Sequence, residues 1–206
     1  MESLFDIQNN IIEILKNKIK LSTREARIEA RFILEHELKM NHAGLISNQL
    51  LPIKQKNKNK IYKILEERIQ HKPLAHIIGE WDFYGLNFFV SQGTLIPRQD
   101  TELLIDLILK KYSPKQEINI LDLGTGSGII GITLAKKIPK SHILISDVSL
   151  KALKVAKKNI LNFKLKNIRA IQSNWFKNIP PRKFDVIISN PPYIDEKSSY
   201  LNNPEL

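Results

Sequence analysis

From residue 118 onward, short apolar runs alternate with longer amphipathic ones, and this alternation limits the possible folds more than any other feature of the sequence. The apolar runs predict four β-strands, at residues 118–123, 142–146, 168–172 and 184–189. Helical patterns at 129–137 and 150–159 separate the first three strands. Because strands that are joined through helices run parallel, the pattern predicts βαβ crossovers and an α/β fold built on a parallel sheet.

The loop between the first predicted strand and its helix is rich in glycine and has the sequence Asp122-Leu123-Gly124-Thr125-Gly126-Ser127-Gly128. Glycine permits tight turns and a close approach of the backbone to a ligand, which the amides of the following helix then face. Asp147 ends the next predicted strand, where a carboxylate can accept both ribose hydroxyls of a nucleoside. The sequence therefore predicts a nucleotide site formed by Gly124, Thr125, Gly126, Ser127, Gly128 and Asp147.

Two kinds of nucleotide fit this loop. The segment from Gly126 to Gly131 matches the dinucleotide fingerprint G-x-G-x-x-G, which alone supports a nicotinamide enzyme about equally well. Asp122, however, lies just inside the strand, where an acid can hold both the loop and the amino group of a methionine moiety. The chain also has no obvious acid for hydride transfer, so the pattern favours S-adenosyl-L-methionine over a nicotinamide cofactor.

The tetrapeptide Asn190-Pro191-Pro192-Tyr193 follows the fourth predicted strand, at the edge where open parallel sheets bind ligands. Transfer of a methyl group to a planar NH2 group requires that nitrogen to be held and aimed, and the Asn190 side-chain oxygen and the Pro191 carbonyl can accept its two hydrogens. The prolines stiffen the turn, and the Tyr193 ring can stack on a flat amide or base. This tetrapeptide is the predicted catalytic and substrate-binding element, although Asn-Pro and Pro-Pro also occur in ordinary turns.

The first 75 residues predict a small helical bundle. Apolar residues recur at helical spacing over 4–19, 26–38 and 61–69, and a short helix is expected within 41–49. Ser22-Thr23-Arg24-Glu25 has the form of a capping box, which predicts the start of the second helix.

The aromatic segment from Trp81 to Val90 predicts a β-hairpin with its turn at Gly85-Leu86-Asn87. A helix is predicted at 101–112, and its expected buried side consists of Leu103, Leu104, Leu107 and Ile108. The predicted domains are a helical N-terminal domain (1–75), a hairpin linker (76–98) and a nucleotide-binding domain (99–206).

Composition excludes some classes of protein and leaves others open. The net charge of +11 is compatible with a polyanionic partner such as RNA, but also with the coding bias of an AT-rich genome. A basic run of five lysines is interpreted as a solvated face: Lys54, Lys56, Lys58, Lys60 and Lys63. With no cysteine, no basic leader before an apolar run and no long apolar stretch, we expect a cytoplasmic protein without a membrane span or a metal site.

The sequence resembles the release-factor glutamine methyltransferases, the HemK/PrmC family, along nearly its whole length. The resemblance is carried by Pro97-Arg98-Gln99-Asp100-Thr101-Glu102, the loop at 122–128, Asp147, Ser173-Asn174-Trp175-Phe176 and Asn190-Pro191-Pro192-Tyr193-Ile194-Asp195-Glu196. It implies a helical domain, a hairpin linker and a Rossmann-like class I methyltransferase domain. It also implies methylation of N5 of the glutamine in the Gly-Gly-Gln motif of peptide chain release factors. The release factor would then be the protein partner. We expect a monomeric enzyme that does not bind nucleic acid directly.

Site residues follow from the same resemblance, position by position. It implies cofactor contacts at Gly124 to Gly128, Asp147, Trp175 and Asn190, with Trp175 near the adenine unless it packs in the core. It implies contacts to the glutamine substrate at Asn190, Pro191, Pro192 and Tyr193. Arg98 and Glu102 would order the linker and the cofactor lid, or form a salt bridge at a helix start.

The sequence also departs from the family pattern. Gln99 stands where proline is usual, and His76 where tyrosine is common. Family members continue for several strands and helices past the position of Leu206. We therefore expect an incomplete sheet with an unpaired fourth strand, weak cofactor binding, and slow turnover or none. Three alternatives stay open: a glutamine methyltransferase of a ribosomal protein, an amino-methyltransferase of a nucleic-acid base, and an inactive truncated remnant.

Overall fold

The computed structural model describes residues 2–96 and 100–191, which divide into two units between Ile78 and Gly79. The predicted limit at residue 75 falls inside a short helix, and the hairpin belongs with the second unit. The domain limits 1–75, 76–98 and 99–206 stay a prediction. No helix within the described ranges is both long enough and apolar enough to cross a membrane.

The first unit is the helical bundle that the sequence predicts. Its helices are α1 (Leu4–Ile14), α2 (Thr23–Leu38), α3 (His42–Ser47), α4 (Gln55–Ile69) and α5 (Leu74–Ile78). A π-helical turn, Leu15–Ile19, extends α1, and neither this turn nor α5 was expected from the pattern. The predicted capping box is confirmed: the Ser22 hydroxyl accepts from the amide of Glu25, whose carboxylate accepts from the amide of Ser22.

One of the five lysines of the basic run is not solvated. Lys58 is buried on α4, and its Nζ lies 2.7 Å from Oε2 of Glu2. A buried cation is stable only when it is paired, so this ion pair explains how a lysine occupies an inward position. The interpretation of the run as a wholly solvated face was therefore wrong at this residue.

The second unit contains a hairpin and an α/β domain. Its elements are β1 (Glu80–Phe83), β2 (Leu86–Phe89), α6 (Asp100–Lys111), β3 (Asn119–Leu123), α7 (Ile129–Lys137), β4 (His142–Asp147), α8 (Leu150–Asn162), β5 (Ile168–Gln172) and β6 (Val186–Ser189). The four strands β3 to β6 form a parallel sheet in the order β5-β4-β3-β6. The predicted α/β class is confirmed, and within the described residues β6 is the edge next to β3.

The hairpin turns one residue earlier than predicted. Phe83 pairs with Leu86, so the loop consists of Tyr84 and Gly85 alone. Both have positive φ angles, 52° and 71°, as a two-residue type I′ turn requires. Two hydrogen bonds to α6 stabilise Tyr84 in this conformation. Its amide donates to Glu102 at 3.0 Å, and its hydroxyl donates to Asp106 at 2.7 Å.

The predicted buried side of α6 was partly wrong. Leu103 and Leu107 are 59% and 54% exposed, whereas Ile105 and Ile108 are buried. Apolar residues surround most of this helix, so their spacing does not single out one face. Ile105 and Ile108 pack in the core of this unit, while Glu102 and Asp106 accept hydrogen bonds from Tyr84 of the hairpin, and these contacts together fix the rotation of the helix.

Candidate functional site

The carboxyl ends of the strands bring the predicted site residues to one edge of the sheet. Leu123, the last residue of β3, lies in register with Ser146 of β4 and with Ser189 of β6. The glycine loop, Asp147 and Asn190 each follow directly from these positions. Ligands of open parallel sheets bind at this edge, so the register places the nucleotide loop and the acceptor loop as neighbours.

The conformation of the glycine loop explains its composition. Gly124, Gly126 and Gly128 have φ angles of 69°, 58° and 85°, which side chains rarely adopt. At Gly128 a Cβ atom would also lie 2.8 Å from Cδ1 of Ile132. The amide of Thr125 donates to the carbonyl of Ser146 at 2.9 Å, which ties the loop to the end of β4.

Asp122 holds this loop from beneath. Its carboxylate is 1% exposed, and Oδ2 accepts from the Thr125 hydroxyl at 2.5 Å and from the Gly131 amide at 3.1 Å. Oδ1 is buried without a hydrogen-bond partner among the described residues. Burial raises the pKa of Asp122 to about 6, against the two hydrogen bonds that lower it. The predicted role of this acid in holding the loop agrees with these contacts.

Both carboxylate oxygens of Asp147 accept hydrogen bonds from backbone amides. Its Oδ2 accepts from the amide of Gly126 at 2.9 Å, and its Oδ1 accepts from the amide of Ser149 at 2.9 Å. A carboxylate oxygen has two acceptor positions, so each oxygen can accept one more hydrogen bond. The carboxylate is thus oriented in advance and can still accept a pair of ribose hydroxyls.

Asn159 supports the loop from α8 and was missed by the sequence analysis. It is fully buried, and its Nδ2 donates to the carbonyls of Phe89 and Ser127, both at 2.9 Å. Its Oδ1 accepts from the amide of Phe89 at 2.8 Å. The side chain therefore joins the end of β2 to the glycine loop. The available signal was an asparagine on the apolar stripe of α8, three residues after Ala156.

The side chain of Asn190 contacts Thr101, another residue to which the sequence analysis assigned no role in the site. Its Nδ2 donates to Oγ1 of Thr101, in the first turn of α6, at 3.1 Å. The Ser189 hydroxyl donates to the carbonyl of Leu123 at 3.0 Å and fixes the backbone just before it. Pro191 follows at the end of the described range, whereas the predicted contacts of Pro192 and Tyr193 lie outside it.

Trp175 does not pack in the core. The side chain is 57% exposed, and the residue has a φ angle of 49°. The hydroxyl of Ser173 fixes this turn by donating to the carbonyl of Trp175 at 2.6 Å and accepting from the amide of Asn178 at 3.0 Å. A large exposed aromatic ring in a constrained turn after β5 can stack on a base, as the resemblance implies.

Glu102 contacts the hairpin and not a cation within the described residues. Its Oε1 accepts from the Tyr84 amide at 3.0 Å, so the residue stabilises the type I′ turn. Arg98, the expected partner of Glu102, lies outside the described residues together with Pro97 and Gln99.

The substitution Asp122→Asn should change how stability depends on pH. The folded pKa of about 6 lies above the ordinary value of 3.8, so the protonated acid stabilises the fold fully below about pH 4, and this contribution is lost as the pH rises through 6. Between pH 4 and pH 7 the wild type should lose roughly 2.4 kcal/mol of unfolding free energy relative to the variant. Urea unfolding of both proteins at several pH values measures this difference. The charge-matched control is Asp100→Asn, which removes an exposed carboxylate. A difference that does not vary with pH would contradict the prediction.

Comparison with known proteins places these features in a class. Residues 98–203 match the family described as methyltransferase small domain, which defines the α/β unit and its loops as those of a methyltransferase. Residues 12–79 match the PrmC N-terminal domain.

Individual relatives narrow the class. The chain is 44% identical over 190 residues to the release factor glutamine methyltransferase of Buchnera aphidicola, covering 91% of this chain and 68% of the relative. It is 38% identical over 207 residues to the one from Fusobacterium nucleatum, covering 100% of this chain and 58% of the relative. The chain therefore belongs to the release factor glutamine methyltransferase family, as the sequence resemblance implied.

Two further facts qualify the comparison. The chain spans between 35% and 68% of the length of three curated relatives that it matches. Among solved structures, the T. thermophilus 16S rRNA N2 G1207 methyltransferase in complex with AdoMet and guanosine is 22% identical with a TM-score of 0.46, over 56% of this chain and 32% of that one.

Proposed function

We propose that the chain transfers a methyl group from S-adenosylmethionine to N5 of the glutamine in the Gly-Gly-Gln motif of peptide chain release factors. The observation that carries the proposal is the β3–β6 register, in which Leu123 pairs with Ser189. This register sets the glycine loop beside Asn190. A methyl donor bound at the loop would therefore lie next to a side chain that can bind an amide. Family membership supports the choice of substrate.

The residues of the loop fit S-adenosylmethionine. Its ammonium group would give the buried Oδ1 of Asp122 a charged hydrogen-bond donor. Asp147 is oriented to accept the ribose hydroxyls, and the exposed ring of Trp175 can cover the adenine. When bound, the cofactor supplies an electrophilic methyl group on a sulfonium centre.

The acceptor side of the site has to hold a planar amide. The nitrogen of a glutamine side chain is a weak nucleophile because its lone pair is delocalised, so positioning is the main contribution that the protein can make. Asn190 Oδ1 and the carbonyl of Pro191 accept its two hydrogens. For Pro192 and Tyr193, which lie outside the described residues, we propose the roles that the sequence predicts, which are to stiffen the turn and to stack on the amide.

The protein partner proposed here is supported by the names of the relatives, and the proposed location by the composition of the chain. The relatives from Buchnera aphidicola and Fusobacterium nucleatum are named for their action on release factors, and we propose the same protein substrate for this chain. We also propose a monomer that does not bind nucleic acid directly. A reducing cytoplasm is consistent with the absence of cysteine from the sequence.

The test is a transfer assay with S-adenosylmethionine that carries a labelled methyl group. The full chain should label a purified release factor and should not label the same factor with Gln→Ala in the Gly-Gly-Gln motif. Ribosomal protein and DNA serve as competing substrates, and calorimetry compares S-adenosylmethionine with NAD. Label in ribosomal protein or DNA alone, or no label with no cofactor binding, would refute the proposal and favour one of the alternatives.

A further inference from the structure

We propose that Asn159 is a positioning residue for the cofactor: it holds the glycine loop in the conformation that binds S-adenosylmethionine by tying that loop to the hairpin. This inference rests on the proposed function. Asn159 lies on α8 and is fully buried. It reaches the loop at the carbonyl of Ser127, a residue that is itself 3% exposed. Both residues are shielded from solvent, so water cannot replace this contact without a rearrangement of the loop.

The orientation of the Asn159 amide is fixed by its partners. Its Oδ1 accepts from the amide of Phe89 at 2.8 Å, and its Nδ2 donates to the carbonyls of Phe89 and Ser127, both at 2.9 Å. All three partners are backbone groups, in which the N–H only donates and the C=O only accepts. A rotated amide would set its oxygen against two carbonyls and its nitrogen against an N–H group. The side chain therefore has one orientation, in which both hydrogens of its nitrogen are used.

The hairpin leaves one backbone position open for this side chain. Glu80 pairs with Phe89 in the hairpin. The next pair is hydrogen-bonded, since the amide of Val90 donates to the carbonyl of Gly79 at 3.0 Å. Hydrogen-bonded and non-hydrogen-bonded pairs alternate along an antiparallel ladder, so the N–H and C=O groups of Phe89 point away from β1. Asn159 satisfies both groups, as the peptide group of a neighbouring strand would, and β2 thereby supports its side chain.

The glycine loop needs such a support from outside. Ser127 stands between Gly126 and Gly128, whose φ angles of 58° and 85° occur in residues with unusually many accessible conformations. The local sequence therefore does not hold this part of the loop in one shape. The amide of Gly126 donates at 2.9 Å to Asp147, the predicted ribose ligand, so a displacement of Ser127 would be passed to that carboxylate. The contact with Asn159 should raise the affinity for the cofactor, because it organises the loop before binding.

Two substitutions at position 159 and two matched controls isolate this effect. Asn159→Asp keeps the shape and replaces the donor nitrogen by an acceptor, and Asn159→Leu keeps the approximate volume without a polar group. The controls are Asn167→Asp and Asn167→Leu, because Nδ2 of Asn167 also donates to a backbone carbonyl, that of Ala135, at 3.0 Å. This contact lies near the carboxyl end of α7, whereas the glycine loop precedes its amino end. Calorimetry gives Kd for S-adenosylmethionine, steady-state transfer gives kcat and KM, and thermal unfolding gives the midpoint.

Both Asn159 variants should raise Kd and KM for S-adenosylmethionine about 10- to 30-fold, because binding must then also order the loop. Their kcat at saturating cofactor should stay within about threefold of the wild type. The Asn167 variants should lower the thermal midpoint and leave Kd within about twofold of the wild type. An unchanged Kd in the Asn159 variants, or an equal rise in the Asn167 variants, would overturn the inference while the proposed function stands. A wild-type chain that binds no S-adenosylmethionine would overturn both.

Hydrogen exchange of the wild type tests the same coupling if the Asn159 variants fail to fold. The Phe89 amide, which Asn159 holds, should exchange at least about 10-fold more slowly when S-adenosylmethionine is bound. The control is the amide of Asn119, which also donates to a side-chain oxygen, Oδ2 of Asp185 at 2.8 Å, but at the amino edge of the sheet. Its exchange should slow less than that of Phe89. Equal slowing of the two amides, or no slowing at Phe89, would contradict the coupling.

Discussion

Asn190→Ala should lower kcat for methylation of a release factor by about 10²- to 10³-fold, which is the usual cost of removing one preorganised hydrogen-bonding group from a reacting centre. The alanine removes the side-chain acceptor and leaves only the carbonyl of Pro191 to hold the NH2 group. Single-turnover transfer of labelled methyl groups measures the loss directly.

The matched control is Asn162→Ala, which removes an exposed asparagine at the end of α8. This variant should keep wild-type kcat. The affinity for S-adenosylmethionine, measured by calorimetry, should fall less than kcat in Asn190→Ala, because the glycine loop and Asp147 are unchanged. An equal loss in both quantities would mean that Asn190 serves cofactor binding and not the alignment of the substrate.

The sequence predicts well those parts of the fold that local chemistry determines. Three glycines with positive φ, Gly124, Gly126 and Gly128, mark the loop because other residues are strained in that conformation. The strand at Ile168–Gln172 and the helix at Ile129–Lys137 have the predicted limits, since their apolar runs are bounded by polar residues and turns. The carboxyl edge of a parallel sheet then follows from topology alone.

What the sequence could not predict depends on contacts between distant residues. Leu103 and Leu107 have the same apolar character as Ile105 and Ile108, and the contacts of α6 with the core and with the hairpin decide which pair is buried. The hydrogen bonds of Asn159 to β2 and of Thr101 to the end of β6 span 70 and 89 positions. No periodicity or local motif reports such a pairing.

Gly131→Val should destabilise the protein by at least about 4 kcal/mol, because the valine side chain has no room between α7 and the rigid core of the sheet. Gly131 lies on the face of α7 that contacts the sheet, where a Cβ atom would overlap Cγ2 of Ile145 and lie 3.2 Å from Oδ2 of Asp122. Ile145 is fully buried on the inner strand β4 and cannot move aside. Gly131→Ala adds the same overlap, but alanine also gains about 1 kcal/mol of helix propensity, so its net loss should be near 2 kcal/mol. Urea unfolding measures both values.

A double-mutant cycle separates this overlap from a general weakness of α7. Ile145→Ala removes the Cγ2 atom that the new Cβ would meet, so it should cost about 3 kcal/mol alone and at least 1 kcal/mol less in the Gly131→Ala background. Ile143→Ala is the matched control, since Ile143 is buried on the same face of β4 but is not among the nearest neighbours of a Cβ at position 131. Its cost should add to that of Gly131→Ala. Additive costs in both cycles would show that α7 adjusts to the extra carbon. In that case the close packing of the helix on the sheet would not explain Gly131, the third glycine of the fingerprint.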